Sequence, residues 1–414
     1  MKIAIIGAGV SGLTAAHRLH PEHEVVVFEA ESRPGGHTNT IVVDDELGPI
    51  PVDTGFIVCN DRTYPNFHEL LDDLGVARRP THMGFSVSAD FEDFEYAGTP
   101  RGVFCQKRNA VRPQYHGMLR DLVRFNRALA RLLETDDPGP SLRDFLDQGG
   151  YGDWFVDRLI VPQASAVWSA DPAQMWTFPV RFLAEFFANH GMLTFRDRPT
   201  WMTVAGGSRT YVDAIIARLG QDRLRLGAPV RSVSRHADHV RVDGERFDEV
   251  ILACHSDQAL GMLDDPSQAE REILGAIPYQ RNEAVLHTDE RLLPKRRAAR
   301  QAWNYHLLAE PKDRTTVTYW MNHLQRFDVY TNYLVTLNLT ERIDPGKIIE
   351  VIDYAHPVFT SEGRAAQARR SEISGVRRTH YCGAYWRWGF HEDGVWSAIT
   401  ALPGVGQASS EVHA

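Results

Sequence analysis

Apolar residues in this chain gather in short unbroken runs separated by helical patterns. Ile3-Ala4-Ile5-Ile6 opens the series, Val25-Val26-Val27-Phe28 follows, and Val250-Ile251-Leu252-Ala253 comes much later. Runs of this length without alternation predict strands buried on both faces, as in an open, mostly parallel α/β sheet. Leu224-Arg225-Leu226-Gly227-Ala228-Pro229-Val230 reads as a further strand, after an amphipathic helix from Tyr211 to Leu219. A longer helix is predicted from Arg112 to Leu133, with Leu119, Leu122, Val123, Leu129 and Leu133 on its apolar face. Asp136-Asp137-Pro138-Gly139-Pro140 stops it. No apolar run approaches the ~18 residues that span a bilayer.

The first strand runs into Gly7-Ala8-Gly9-Val10-Ser11-Gly12, and a helical pattern follows at once. In such a fingerprint Gly7 allows the tight turn, Gly9 lets backbone approach a pyrophosphate, and Gly12 allows close helix–strand packing. The N–H groups at the helix start, with Ser11 among them, then hold phosphate. The second strand ends at Glu29, an acid placed to accept from ribose hydroxyls. Strand, glycines, helix, strand and acid stand in register, which predicts a bound dinucleotide.

Ser32-Arg33-Pro34-Gly35-Gly36-His37-Thr38-Asn39-Thr40 follows the acid, and Asp53-Thr54-Gly55-Phe56 lies a little further on. Together these resemble the R-x-G-G-[R]-x-x-[ST] signature and the next flavin-proximal segment of the FAD-binding amine oxidase superfamily. That superfamily includes monoamine oxidases, polyamine oxidases and carotenoid desaturases, and the likeness is strongest to a bacterial subgroup of FAD/NAD-binding oxidoreductases. His37 stands where many members have a second arginine. NAD as the cofactor gives no account of Arg33, Gly35 and Gly36. The resemblance returns at Val204-Ala205-Gly206-Gly207-Ser208, at Val230, whose backbone meets the adenine in the family, and at the C-terminal segment. There, Tyr381-Cys382-Gly383-Ala384-Tyr385 and Gly389-Phe390-His391-Glu392-Asp393-Gly394-Val395 look like the family's closing motif. A helix starting around Gly394 would point its N-terminus at the flavin N1–C2=O edge, where its partial charge favours an anion. Ala384 replaces an acid often found after the last glycine. The pattern of covalent flavin attachment is absent, so the implied cofactor is non-covalent FAD.

The resemblance implies an α/β fold in which a Rossmann-like FAD-binding domain of the GR2 type is interleaved with an α+β substrate domain. The FAD domain is expected at 1–80, 200–272 and 345–405, the substrate domain at 81–199 and 273–344, and a flexible tail at 406–414. Aromatic residues crowd the stretch from Tyr151 to Trp201: Trp154, Phe155, Trp168, Trp176, Phe178, Phe182, Phe186, Phe187 and Phe195. Most are expected in the core and some along a substrate tunnel. Trp303, Asn304, Tyr305, Tyr319 and Trp320 are weaker pocket candidates, or simply strand residues.

The amine oxidases usually carry a lysine near flavin N5, but the corresponding stretch Ile277 to His287 has none. Phe390 matches one of their two framing aromatics. His356 is the best candidate for an acid or base near the ring, because imidazole titrates near neutrality and Pro357 fixes the backbone after it; the alternative is a packed structural histidine. The missing lysine and the aromatic-rich substrate domain favour hydride transfer to flavin, as desaturation or isomerisation, on an apolar fatty-acyl or lipid-like substrate. An amine oxidase acting on a C–N bond and an FAD-binding protein without turnover stay open.

Composition narrows the partners. The 414 residues carry 45 Lys and Arg against 54 Asp and Glu, a formal net charge of -9, which argues against nucleic acid. Cys59, Cys105, Cys254 and Cys382 form no CxxC pair, so neither a disulfide scaffold nor a metal site is expected, and a reducing cytoplasm fits. Arg120, Arg124, Arg127 and Arg131 fall on one side of the long helix, and Lys295, Arg296, Arg297 and Arg300 form a second basic patch. Each reads as a solvated face or as a peripheral contact with anionic lipid.

Overall fold

Two sheets organise the chain in a computed structural model that describes residues 1–194, 196 and 198–406. The apolar runs build the first. Its five parallel strands lie in the order Leu224–Arg225, Glu24–Phe28, Lys2–Ile6, Glu249–Leu252, Thr379–Tyr381. Both faces are covered, which is why these strands do not alternate with polar residues. Ile3, Ile5, Val25 and Val27 pack with the helices Val10–Leu19, Arg209–Leu219 and His391–Ala401. Ala4, Ile6, Val26 and Phe28 pack on the other side against Val233, Val240 and Phe247 of a small antiparallel sheet.

The second sheet has seven strands, in the order Ile348–Pro357, Tyr279–His287, Leu334–Leu337, Val317–Trp320, Trp303–Leu307, Phe85–Ala89, Glu95–Ala97. Neighbours are antiparallel except Trp303–Leu307 beside Phe85–Ala89. An aromatic core including Phe125, Phe155, Trp168, Phe178, Phe182, Phe186 and Phe187 packs beside it. Phe195 lies outside the described residues, as do residues 407–414 of the expected tail.

Three boundaries differ from the sequence reading. Only Leu224 and Arg225 of the expected Leu224–Val230 strand join the sheet. Gly227 turns the chain at φ +61°, and Pro229 has no N–H to offer a ladder. The closing helix begins at His391 rather than near Gly394, because the Asp393 carboxylate accepts the Phe390 N–H (2.9 Å) and caps it earlier. Ile348–Pro357, expected in the third segment of the FAD domain, instead pairs with Tyr279–His287 and completes the larger sheet.

The long helix runs from Pro113 to Leu133. Tyr115, Met118, Phe125 and Leu129 enter the aromatic core. Leu119, Leu122 and Val123 face a cavity instead. Arg120, Arg127 and Arg131 are exposed, and Arg124 pairs with Asp121 (2.6 Å). In the second basic patch Arg296 is held by Asp93 and Glu95, so much of its charge is met locally. Among the described residues no helix is long and apolar enough to cross a membrane.

Candidate functional site

One cavity of about 1970 Å³ reaches from the first sheet into the second. Ile6 and Gly7, Phe28 and Glu29, Ala253 and Cys254, and Gly383 line one end. These are the carboxyl ends of four parallel strands, the place where open α/β sheets bind ligands. The volume is about twice the upper range of a drug-sized pocket, enough for a dinucleotide and a second molecule.

The residues at this end suit FAD. A side chain on Gly12 would meet the Gly7 carbonyl oxygen at 1.9 Å, so the helix sits directly on the strand. A side chain on Gly9 would meet nothing within 4 Å, because it would project into the cavity. The helix that follows has no side-chain cap on its first turn, and Ser11 lines the same wall. Its free N–H groups face the cavity that would take a pyrophosphate. Glu29 accepts the Ala8 N–H (2.7 Å) and the Glu31 N–H (2.9 Å), one on each oxygen, which leaves lone pairs for ribose hydroxyls. Val230 lines the same cavity. Arg33, Gly35, Gly36, His37, Thr54 and Gly55 continue the lining. Two backbone bonds hold these segments: Gly35 N–H to Ala8 O (2.8 Å) and Phe56 N–H to His37 O (2.7 Å). The buried Nε2 of His37 has no protein partner among the described residues, as a group awaiting a ligand would show.

Six expected cofactor residues do not reach the wall. Gly12 serves packing alone. The Thr38 hydroxyl is bonded to the Tyr211 hydroxyl (2.5 Å). Asp53 is wholly buried, and its carboxylate accepts from Thr40 Oγ1, Ser208 N–H, Ser208 Oγ and Gln325 Nε2. It ties the Arg209–Leu219 helix to the Gly48–Asp53 strand, and burial pushes its pKa up to about 6. Glu392 turns away to accept the N–H groups of Asn66 and Phe67. Gly394 brings the closing helix onto Val10, where a side chain would stand 2.6 Å from Cγ1, and Val395 is core.

Between the two ends stands a group of rings that the sequence did not bring together. His37 stacks on Tyr354 (4.8 Å between centroids) and meets His356 edge-on (5.1 Å). His255 stacks on Tyr279 (4.3 Å). His391 stacks on Phe56 (3.7 Å) and bonds the Tyr211 hydroxyl (2.8 Å). Enclosure by protein disfavours charge on these imidazoles. The pKa falls to about 4 at His356 and about 3 at His391, and is lowered at His37 and His255. All four are neutral at pH 7. His255 lies three residues past the end of the Glu249–Leu252 strand, which was the one local sign of its place.

The far end is mostly apolar, although Asn126 and His190 also line it. Leu119, Leu122, Val123, Leu159, Phe186, Phe187, Met192 and Trp303 line it, with Phe390 stacked on Phe186 (4.9 Å). Trp168 and Tyr319 join this wall, while Asn304, Tyr305 and Trp320 do not. Among the described residues the carboxylates on the whole wall are Glu29 and Glu31 at the nucleotide end, and Asp353, which pairs with Arg281 (2.9 Å).

The chain matches the family model described as flavin containing amine oxidoreductase over residues 10–351. Mitochondrial protoporphyrinogen oxidase of Nicotiana tabacum is 24% identical over 266 residues, which are 56% of this chain and 50% of that protein. The chain thus aligns with about half the length of that curated relative. Cyclohexylamine oxidase from Brevibacterium oxydans IH-35A shares the fold at a TM-score of 0.68 and 16% identity, covering 97% of this chain and 98% of that one. The CLA-producing fatty acid isomerase from P. acnes does so at 0.64 and 17%, with the same coverage.

Proposed function

The chain belongs to the flavin-containing amine oxidoreductase family, with FAD as its cofactor, and from that premise we propose an oxidoreductase that desaturates or isomerises an apolar, fatty-acyl or lipid-like substrate. The observation that carries this reading is the far wall: leucines, phenylalanines and tryptophans with no carboxylate among them. An ammonium buried there would meet no counter-charge, and burying an unpaired charge is costly. An acyl chain would gain about 0.8 kcal/mol for each methylene removed from water. The fold shared with a fatty acid isomerase accommodates such a substrate; the fold shared with an amine oxidase accommodates the competing one.

When bound, FAD supplies the group that takes up a hydride and returns it. Glu29 and the glycine turn hold its nucleotide half. Arg33, fixed by the Gly36 carbonyl (2.9 Å), places a guanidinium at the turn. Phe390 and Phe186, stacked on each other, form one apolar surface for the chain, and His356 lines the polar middle of the cavity. Anaerobic mixing with acyl lipids and with amines tests the reading. Acyl lipids should bleach the flavin or return with a moved double bond; bleaching by amines alone would overturn it.

We also place lipid contact on the Pro113–Leu133 helix, whose arginines face out while Leu119, Leu122 and Val123 face the cavity. Local positive charge attracts anionic headgroups even in an acidic protein. Vesicles containing anionic lipid should sediment the protein at low salt and release it at high salt. No sedimentation at low salt would end the idea.

A further inference from the structure

A buried relay of side-chain amides decides which nitrogen of His356 carries its proton. The relay starts at a group with one possible role. The backbone N–H of Glu283 donates to Asn338 Oδ1 (3.0 Å), so the other arm of that amide is the donor. Asn338 Nδ2 donates to the Thr315 carbonyl (2.8 Å) and to Asn282 Oδ1 (2.8 Å). Asn282 Nδ2 then donates to the Ser169 carbonyl (3.0 Å) and to His356 Nδ1 (3.0 Å). Backbone groups fix both amides, and Asn282 and Asn338 are buried, so turning either amide over would leave buried donors facing donors. An amide donor aimed at Nδ1 requires a lone pair there. The proton of the neutral ring therefore sits on Nε2.

We propose that Asn282 is a positioning residue that locks His356 in the Nε2–H tautomer, so that His356 offers the cavity a hydrogen-bond donor and no lone pair. The Nε2 atom has no protein partner among the described residues, and the ring lines the cavity beside His37. Its match on a bound molecule is an acceptor, such as a carbonyl or carboxylate oxygen. A general base needs a free lone pair, and His356 presents none. The role deepens the proposed function by setting which polar groups the site accepts, yet its test needs neither substrate nor turnover.

The test is a long-range proton–nitrogen correlation spectrum of the FAD-bound protein labelled with ¹⁵N-histidine at pH 7, with His356→Gln identifying the resonances. The wild type should show a protonated Nε2 and an unprotonated Nδ1 at His356. Asn282→Asp places an acceptor opposite Nδ1 and should move the proton there. Asn282→Ala removes the donor and should leave a mixture of tautomers. A proton on Nδ1 in the wild type, or an unchanged tautomer in both folded variants, would overturn the proposal. Because the wild-type spectrum is decisive alone, a variant that fails to fold does not rescue it.

Discussion

A valine at position 9 should leave the protein folded and colourless. Gly9 has φ −74°, a conformation any residue adopts, and a side chain there meets no protein atom within 4 Å. The backbone therefore tolerates valine. The isopropyl group fills the space where the pyrophosphate must approach the first turn of the Val10–Leu19 helix. Loss of close approach removes the phosphate contacts together, so the expected result is loss of bound FAD rather than a weaker complex. Far-UV circular dichroism should match the wild type while the visible flavin bands of the purified protein vanish. Gly12→Ala is the contrast. Its new carbon would stand 1.9 Å from the Gly7 carbonyl oxygen, so the helix must move off the strand and the folded yield should fall. A yellow Gly9→Val protein with a full complement of FAD would show that the cofactor does not use this turn.

Acid should unfold the protein well above the usual carboxylate range. Burial lowers the pKa to about 4 at His190, His287, His306 and His356, and to about 3 at His391. The sign follows from proton binding. Each of these rings binds a proton more weakly when folded than when unfolded, where its pKa is about 6.5. Each therefore contributes stability that is present above pH 6.5 and is lost as pH falls toward 4. At about 3 kcal/mol for a shift of this size, five such groups together rival the ~5–15 kcal/mol that holds a typical domain. Asp53 and Asp393 act in the opposite direction. Burial raises them to about 6 and about 7, so their contribution is fully present below about 3.8 and is lost as pH rises. Two groups gaining do not offset five losing. Melting temperature followed by circular dichroism should fall steeply between pH 6.5 and 4.5. A flat profile across that window would mean that these histidines are not held neutral in the folded protein.

The glycine-turn end of the cavity was readable from the chain because its parts are local. Strand, glycine turn, helix, second strand and acid lie within thirty residues, and each residue type has a backbone reason for its position. Gly7, Gly9, Ser11, Glu29, Arg33, Gly35, Gly36 and His37 all reach the cavity, as do Thr54, Gly55, Val230, Gly383, His356 and Phe390. Thr38, Asp53, Glu392, Gly394 and Val395 belong to the same motifs and yet face away. A motif letter names a residue type and carries no side-chain direction; Asp53 and Thr54 are neighbours on an extended segment and point to opposite sides.

The polar middle of the site was not readable, because its members meet across long sequence separations. Asn282 and His356 are 74 residues apart and Asn282 and Asn338 are 56 apart. They meet because Tyr279–His287 pairs with both Leu334–Leu337 and Ile348–Pro357. A register slipped by one residue would send His356 to the other face of the sheet and break the relay. Local order along the chain was enough for the Lys2–Ile6 and Glu24–Phe28 strands, the glycine turn between them and the family likeness, whereas the full parallel sheet pairs Ile3 with Glu249 and Val250 with Thr379. Which acids line the cavity and which merely brace, how far the larger sheet extends, and which nitrogen His356 presents all depend on strand pairing between distant segments. Pleating alternates side chains between faces, so pairing and register, rather than composition, choose the residues that meet the ligand.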